Sequence, residues 1–317
     1  MADEHRFREG VLADARSNAC LNCGTPLSGP FCAGCGQRDI PPYPSVRELA
    51  VDAVSEFSGW DGRLASTIRA LVLYPGLLTH EFLEGRRVRY ISPLRLYLTA
   101  SLVYFLVAAA APDVKAESGK TLFLGVRVGA TTADTGQPTS RPERVSAAAS
   151  AALEKGEAAS AAEREAALED IARAPAVMQP FLRKAVQDPG GLKRRIFTTM
   201  PRMLFALLPV FAAILALFYR GRKYPEHLYF AIHLHAFTFL ALTVAELLKF
   251  TGSPVLAVVG SLIGVIWLPI YATLAFRRVY GGSLGRTVAK VVAIGAIYGA
   301  ATAVAFVVLL YWVSIVA

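Results

Sequence analysis

The sequence predicts an all-α integral membrane protein with five transmembrane helices, preceded by amphipathic juxtamembrane helices and a small N-terminal cysteine module. Three observations predict this class. The 317 residues are 54% hydrophobic and 18% charged, with a mean hydropathy of +0.44, whereas soluble domains carry about 25% charged residues. The apolar residues fall in runs of about 20, the helix length that crosses a bilayer. All four cysteines precede these runs.

The cysteines form two matching knuckles, Cys20-x2-Cys23 and Cys32-x2-Cys35, each followed by a glycine. Two residues between thiolates let both sulfurs face one tetrahedral metal ion. The pattern predicts a zinc ribbon at residues 20–38 with structural Zn²⁺, and redox-active thiols or iron are the alternatives. Four thiolates leave no open coordination position, so we expect the metal to fold the module and not to catalyse. Two roles fit the module equally, a structural staple and a docking site for a cytoplasmic protein.

The region between the module and the membrane runs is amphipathic. Residues 1–19 form a polar tail, and residues 39–92 contain three segments with apolar residues at helical spacing. The segments are Ser45–Phe57, Arg63–Tyr74 and Leu77–Leu83. They are too polar to span a membrane, so we expect them along its interface or under the bundle.

Five apolar runs are predicted as transmembrane helices. They lie at residues 93–111, 203–219, 227–248, 255–276 and 288–316. The polar segment 112–202 separates the first from the second, and within it Thr121–Ala130 alternates as a strand or a hairpin arm does. An odd number of spans places the two termini on opposite sides of the membrane.

The basic residues of the short loops fall on one side of the predicted membrane. They are Arg86, Arg87 and Arg89 before the first run, Arg220, Arg222 and Lys223 before the third, and Arg277, Arg278 and Arg286 before the fifth. The positive-inside rule places this side and the cysteine module in the cytoplasm, and segment 112–202 outside. Topology and the anionic lipid bilayer also account for the net charge of +9, so nucleic acid is not expected as a partner.

The third run carries four ionisable side chains, His227, His233, His235 and Glu246. Such groups are unfavourable in a span and are candidates for an intramembrane polar site. His233 and His235 point to nearly opposite sides of a helix, and His235 lies about 16 Å from Glu246 on the same face, so only a water-linked proton or ion path can join that pair. We favour the alternative, in which the histidines bond neighbouring helices and the end residues lie at the interfaces.

Two glycine motifs predict close helix contact, within the chain or in a homo-oligomer. They are Gly260-x3-Gly264 in the fourth run and Gly295-x3-Gly299 in the fifth. No Ser/His/Asp set or carboxylate pair has the spacing of a catalytic site, so we assign no catalytic residue and favour a protein without enzymatic activity. A membrane enzyme remains a third option, which requires His233 or His235 to meet carboxylates or histidines of other helices.

Several stretches together resemble a bacterial membrane family, domain of unknown function 3667. They are Cys35-Gly36-Gln37, Tyr74-Pro75-Gly76, the stretch from Gly85 to Pro93, and the stretch from Glu226 to Phe237. The resemblance implies a protein of the bacterial inner (plasma) membrane with a zinc ribbon, and it implies no activity.

The first functional hypothesis is therefore a non-enzymatic membrane adaptor or organiser that binds a cytoplasmic protein through its zinc ribbon. The alternative is a transporter or channel that uses His233, His235 and Glu246.

Overall fold

The computed structural model describes residues 19–39, 63–110, 122–123, 126–127, 168, 171–172 and 179–315. The polar tail through residue 18, the predicted helix at Ser45–Phe57 and most of the segment 112–178 lie outside the described residues. Within the described residues, the chain is helical apart from the cysteine module, short loops and two very short strands. The predicted all-α class is confirmed.

Nine α-helices follow one another in the described part of the chain. They are α1 (Arg63–Leu73), α2 (Leu77–Leu83), α3 (Pro93–Ala110), α4 (Gln179–Gln187), α5 (Pro189–Phe218), α6 (Tyr224–Phe250), α7 (Pro254–Leu262), α8 (Leu268–Tyr280) and α9 (Leu284–Ile315). A π-helical turn, Ile263–Trp267, joins α7 to α8. Strands β1 (Leu122–Phe123) and β2 (Val126–Arg127) pair antiparallel inside the predicted hairpin segment.

Five segments of the described chain are long and apolar enough to cross a membrane. They are the first span (Pro93–Ala110), the second (Gly190–Phe218), the third (Tyr224–Phe250), the fourth (Pro254–Tyr280) and the fifth (Leu284–Ile315). The predicted number of spans is confirmed, and the chain is an integral membrane protein.

The helix of the second span begins well before the predicted start at residue 203, because α5 starts at Pro189. The amide of Gly191 donates a 2.8 Å hydrogen bond to the Asp188 carboxylate, which caps the helix. Arg194 and Arg195 lower the local hydropathy but are good helix formers. Hydropathy therefore located only the apolar part of a longer helix, and the end of the predicted polar segment 112–202 is helical.

The helices form two compact units. The first consists of Met1–Tyr104, Leu208–Ala245 and Leu262–Ile294, and the second of Phe105–Leu207, Glu246–Ser261 and Gly295–Ala317. Each span therefore contributes one end to each unit. The first unit contains the cysteine module, α1, α2 and the three arginine-rich loops.

Helices α1 and α2 pack against the fourth span within the first unit. The Tyr271 hydroxyl donates a 2.6 Å hydrogen bond to the Leu71 carbonyl at the end of α1. Gly76 has φ of 76°, and a Cβ added to it would lie 2.9 Å from the Ala275 carbonyl oxygen. Helices α1 and α2 thus pack against the fourth span.

The core of the second unit is apolar. Its buried side chains come from α4, the second span and the fifth span, and they are Ala185, Leu192, Ile196, Met200, Leu309 and Val313. Helix α4 thus packs against the ends of two spans.

Candidate metal centre

The two knuckles have the same backbone conformation. Each is closed by one hydrogen bond from the amide of its first cysteine and one back to the carbonyl of that cysteine. The bonds, all 2.8 Å, join Cys20 to Thr25, Gly24 to Cys20, Cys32 to Gln37 and Gly36 to Cys32. Gly24 and Gly36 have φ of 76° and 73°, a left-handed conformation that favours glycine. Equal spacing in the sequence thus produces two equal turns that present paired sulfurs.

The four sulfur atoms converge. All lie within 4.8 Å of one another, with Cys20 Sγ 3.6 Å from Cys35 Sγ and Cys23 Sγ 3.5 Å from Cys32 Sγ. A tetrahedral ion with metal–sulfur bonds of about 2.3 Å requires sulfur separations of roughly 3.8 Å. The thiols are unbridged, and their arrangement fits a metal ion with four thiolate ligands.

The environments of the thiols link metal binding to proton release. Cys20 and Cys32 are buried, while Cys23 is exposed. Burial raises the pKa of the Cys20 thiol to about 11. Hydrogen bonding with Thr25, whose Oγ1 lies 3.3 Å from the sulfur, lowers the pKa of Cys23 to about 6. The buried Cys20 thiol must therefore release its proton when an ion binds, whereas Cys23 ionises more readily, so metal binding depends on pH.

The module rests on the loop that leads into the first span. The buried side-chain amide of Gln37 donates a 2.8 Å hydrogen bond to the Gly85 carbonyl. Its Oε1 accepts from the amides of Arg87, at 3.2 Å, and Val88, at 3.4 Å. A Cβ added to Gly85, which has φ of 82°, would lie 2.6 Å from Leu21 Cδ1. The first unit thus includes an ordered contact between the module and the membrane domain.

His233 of the third span bonds the short helix α2. Its Nδ1 lies 3.0 Å from the Thr79 hydroxyl, and both groups are buried. The Phe82 ring packs edge-on against the imidazole, with centroids 5.5 Å apart. This histidine therefore joins the third span to α2.

His227 and Glu226 belong to a polar cluster at the start of the third span. The fully buried His227 has its Nδ1 2.9 Å from the Tyr280 hydroxyl. The Glu226 carboxylate accepts hydrogen bonds from the Arg222 guanidinium, at 2.8 Å, and from the Lys223 amide, at 3.0 Å. The second bond caps the helix.

This cluster lies beyond the start of the first span. The Phe239 ring is 5.5 Å from the rings of both Tyr97 and Tyr104, so the middle of the first span lies level with residue 239. At 1.5 Å per residue, the first span begins about 11 Å below this level and the third span about 22 Å below it. Glu226 and His227 therefore lie below the level at which the first span begins, and both side chains are buried within the protein there.

The remaining two candidates have separate partners. His235 Nδ1 donates a 2.8 Å hydrogen bond to the Ala231 carbonyl of its own helix, and its ring packs edge-on against Phe211. Glu246 pairs with Lys249 at 2.7 Å. The structure thus gives His227, His233, His235 and Glu246 four different sets of partners and does not bring them together in one site.

The glycine motifs offer open surface at three of four positions. A Cβ added to Gly264, Gly295 or Gly299 meets no described atom within 4 Å, whereas Gly260 is buried. Close contact through these three glycines within the chain is therefore absent from the described residues, and contact between chains stays a prediction.

Several residues make tertiary contacts that the sequence did not predict. Gln37, Thr79 and Tyr280 bond the partners given above, and Lys290 Nζ donates a 3.1 Å hydrogen bond to the Phe218 carbonyl beside the Tyr219 ring. Lys290 carried a usable signal, since a lysine inside an apolar run needs a partner. Gln37 and Thr79 carried none, because each is an ordinary polar residue until its neighbour is known.

Comparison with known families places part of the chain in a described family model. The family model described as Protein of unknown function (DUF3667) matches residues 61–105, which include α1, α2, the arginine-rich loop and most of the first span. No curated protein and no solved structure matches the chain. The chain is therefore similar to DUF3667 over residues 61–105, which confirms the resemblance indicated by its motifs.

Proposed function

We propose that the protein is a non-enzymatic membrane adaptor or organiser of a bacterial inner membrane, with one structural Zn²⁺ in a cytoplasmic N-terminal module. One observation carries the proposal. The closed set of four sulfurs lies in a module whose Phe31 ring is 59% exposed. A four-thiolate site has no position for a substrate, so its metal stabilises a surface and does not react.

The choice of zinc is supported by the ligand chemistry. Four thiolates in two knuckles are typical of structural zinc, and iron is the alternative. Metal content per chain should be measured on the purified full-length protein and on a variant with all four cysteines changed to serine. We expect about one zinc in the native protein and none in the variant. Iron in place of zinc would contradict the assignment, and metal kept by the variant would direct attention to His233 and His235.

The cytoplasmic position of the module is supported by charge. The module and the three arginine-rich loops belong to one compact unit, and the positive-inside rule places such loops in the cytoplasm. Fusions of alkaline phosphatase, which is active only outside the inner membrane, test this. A fusion after Gly252 should be active and one after Gly282 inactive. The reverse result would invert the topology.

The proposed contact with a protein partner is assigned to Phe31. Leu21, on the first knuckle, lies against Gly85, whereas Phe31, beside the second knuckle, is largely exposed. Aromatic side chains are enriched at the centres of protein interfaces. We therefore assign the partner an apolar groove that accepts this ring.

Photocrosslinking in living cells tests the adaptor function. A photoreactive amino acid in place of Phe31 should capture one defined cytoplasmic protein, identified by mass spectrometry. Capture should disappear when Cys32 and Cys35 are both changed to serine, because the module then loses its metal. The same amino acid in place of Thr251, on the opposite short loop, is the matched control. Capture that survives the cysteine changes, or equals the control, would contradict the proposal.

The transporter alternative has less support because His233, His235 and Glu246 bond separate partners. Ion and proton flux into proteoliposomes distinguishes the two functions. The adaptor predicts no flux above protein-free vesicles. A flux that His235→Ala abolishes would replace the adaptor with the transporter.

A further inference from the structure

The loop at residues 84–92 is held by its own helices at both ends. Near its start, the Arg86 guanidinium donates two 2.8 Å hydrogen bonds to the Glu81 carboxylate at the end of α2. Near its end, the Ile91 amide donates to the Thr67 hydroxyl of α1, at 3.1 Å. The middle of the loop receives one bond from α1, in which the Arg63 guanidinium donates a 2.7 Å hydrogen bond to the Val88 carbonyl, and further bonds from a different source.

The middle of the loop is bonded by the cysteine module. Gln37 alone contacts three backbone groups there, on Gly85, Arg87 and Val88. Gln37 is only 9% exposed, so water cannot readily replace these bonds while the module is docked. The loop residues Arg86, Arg87 and Arg89 provide three trypsin sites in this short stretch.

Both knuckles are required for this contact. Leu21 comes from the first knuckle and meets Gly85, while Gln37 comes from the second and its carbonyl accepts the Cys32 amide. The two side chains keep their relative position only when the knuckles are joined, and the converging sulfurs are the groups that can join them through one ion.

We propose that the cysteine module is a metal-dependent clamp on the loop at residues 84–92. Metal binding fixes Leu21 and Gln37 in the geometry that grips the loop, and metal loss releases the loop that leads into the first span. This inference rests on the proposed metal binding. It adds that occupancy of the metal site controls how well ordered the loop at residues 84–92 is.

Limited trypsin digestion of the full-length protein in lipid nanodiscs tests the clamp. The rate of cleavage after Arg86, Arg87 and Arg89 is measured by mass spectrometry, and metal content is measured on the same samples. The native protein with metal should be cleaved slowly. Chelation, or serine at all four cysteines, should raise the rate about tenfold or more, because proteolysis follows the population of the open loop.

Gln37→Ala separates docking from metal binding. This variant keeps the four cysteines and should keep its metal, yet its loop should be cleaved about tenfold faster, since three backbone hydrogen bonds are lost. Ser28→Ala, at an exposed position between the knuckles, is the matched control and should change neither metal content nor cleavage rate.

The outcomes separate the two proposals. Cleavage rates that are equal in the native protein, the metal-free protein and Gln37→Ala, with metal present in the native protein, would overturn the clamp and leave metal binding intact. Faster cleavage without metal but not in Gln37→Ala would overturn the role of Gln37. A native protein that binds no metal would overturn both proposals.

Discussion

Hydropathy suggests that the more apolar of two spans is the more buried one. Between the third and fifth spans the opposite holds. Over an 18-residue window, the third has a mean hydropathy of 1.7 with 67% of its residues buried, whereas the fifth has 2.3 with 6% buried. Apolar side chains gain little from burial in a bilayer because lipid chains are equally apolar. Polar groups must find partners within the protein. The more polar of these two spans is therefore the more buried one.

The space around two glycines, Gly76 and Gly299, shows the same contrast. Gly76, in the turn between α1 and α2, lies against the fourth span, which packs on the third through stacked rings of Phe237 and Tyr271. Gly299 of the fifth span has open space around it. A side chain at Gly76 thus has no free space, whereas one at Gly299 meets open space.

The largest expected effect is that of Gly76→Val. The change forces a β-branched residue to φ of 76° and directs its side chain at the Ala275 carbonyl oxygen. We expect the free energy of unfolding to fall by about 3 kcal/mol or more, measured by titration with SDS in mixed micelles. Gly299→Val should change it by less than about 0.5 kcal/mol.

If Gly76→Val and Gly299→Val lower the free energy of unfolding equally, the proposed difference in packing between the two positions would be wrong. Self-association is measured by light scattering of the purified protein. If Gly299→Val is stable but no longer self-associates, the open face of the fifth span is the surface that binds a second copy.

The next effect is expected from Tyr280→Phe. The change removes the hydroxyl group that partners the fully buried His227. A buried polar group without a partner costs about 1–3 kcal/mol, measured by the same SDS titration. Tyr311→Phe, at an exposed position of the fifth span, is the matched control. Similar values for the two variants would show that the His227–Tyr280 contact contributes no stability.

A smaller effect, with a defined pH dependence, is expected from Glu81→Gln. Hydrogen bonding to Arg86 lowers the pKa of Glu81, so the pair stabilises the fold above the unfolded pKa of about 4.3 and loses this contribution as the pH falls through the folded pKa. Arg86 is one-third exposed, which limits the expected loss in Glu81→Gln to about 1 kcal/mol at pH 7.

Thermal melts of both proteins at pH 7 and below pH 4 provide the measurement. The difference between native protein and Glu81→Gln should shrink at the lower pH. A difference that grows on acidification would contradict the assigned ion pair.

The smallest effect is expected from Glu246→Gln at the far end of the third span. Glu246 and Lys249 form a partly exposed pair, with side chains 27% and 29% accessible. Such pairs contribute about 0–1 kcal/mol, so we expect a change below about 0.5 kcal/mol in the SDS titration. A loss above about 2 kcal/mol would show that this carboxylate has a further partner and would reopen the transporter alternative.

Part of the site was predictable and part was not. The four cysteines were predicted as one cluster because the spacing of each knuckle is a local property of the chain, and the structure brings all four sulfurs together. The sequence indicated only that ionisable groups in the third span need partners. Those partners, Thr79 and Tyr280, lie far away in the sequence, and no spacing rule could name them.

The sequence by itself determined the class of the protein, because a run of about 20 apolar residues and a cysteine knuckle are each defined by neighbouring residues. Only the tertiary structure decided which span is the more buried, where α5 begins and which loop Gln37 contacts. These features depend on contacts between distant residues. In lipid they are decided by hydrogen bonds and close packing, which the local hydropathy of each span does not report.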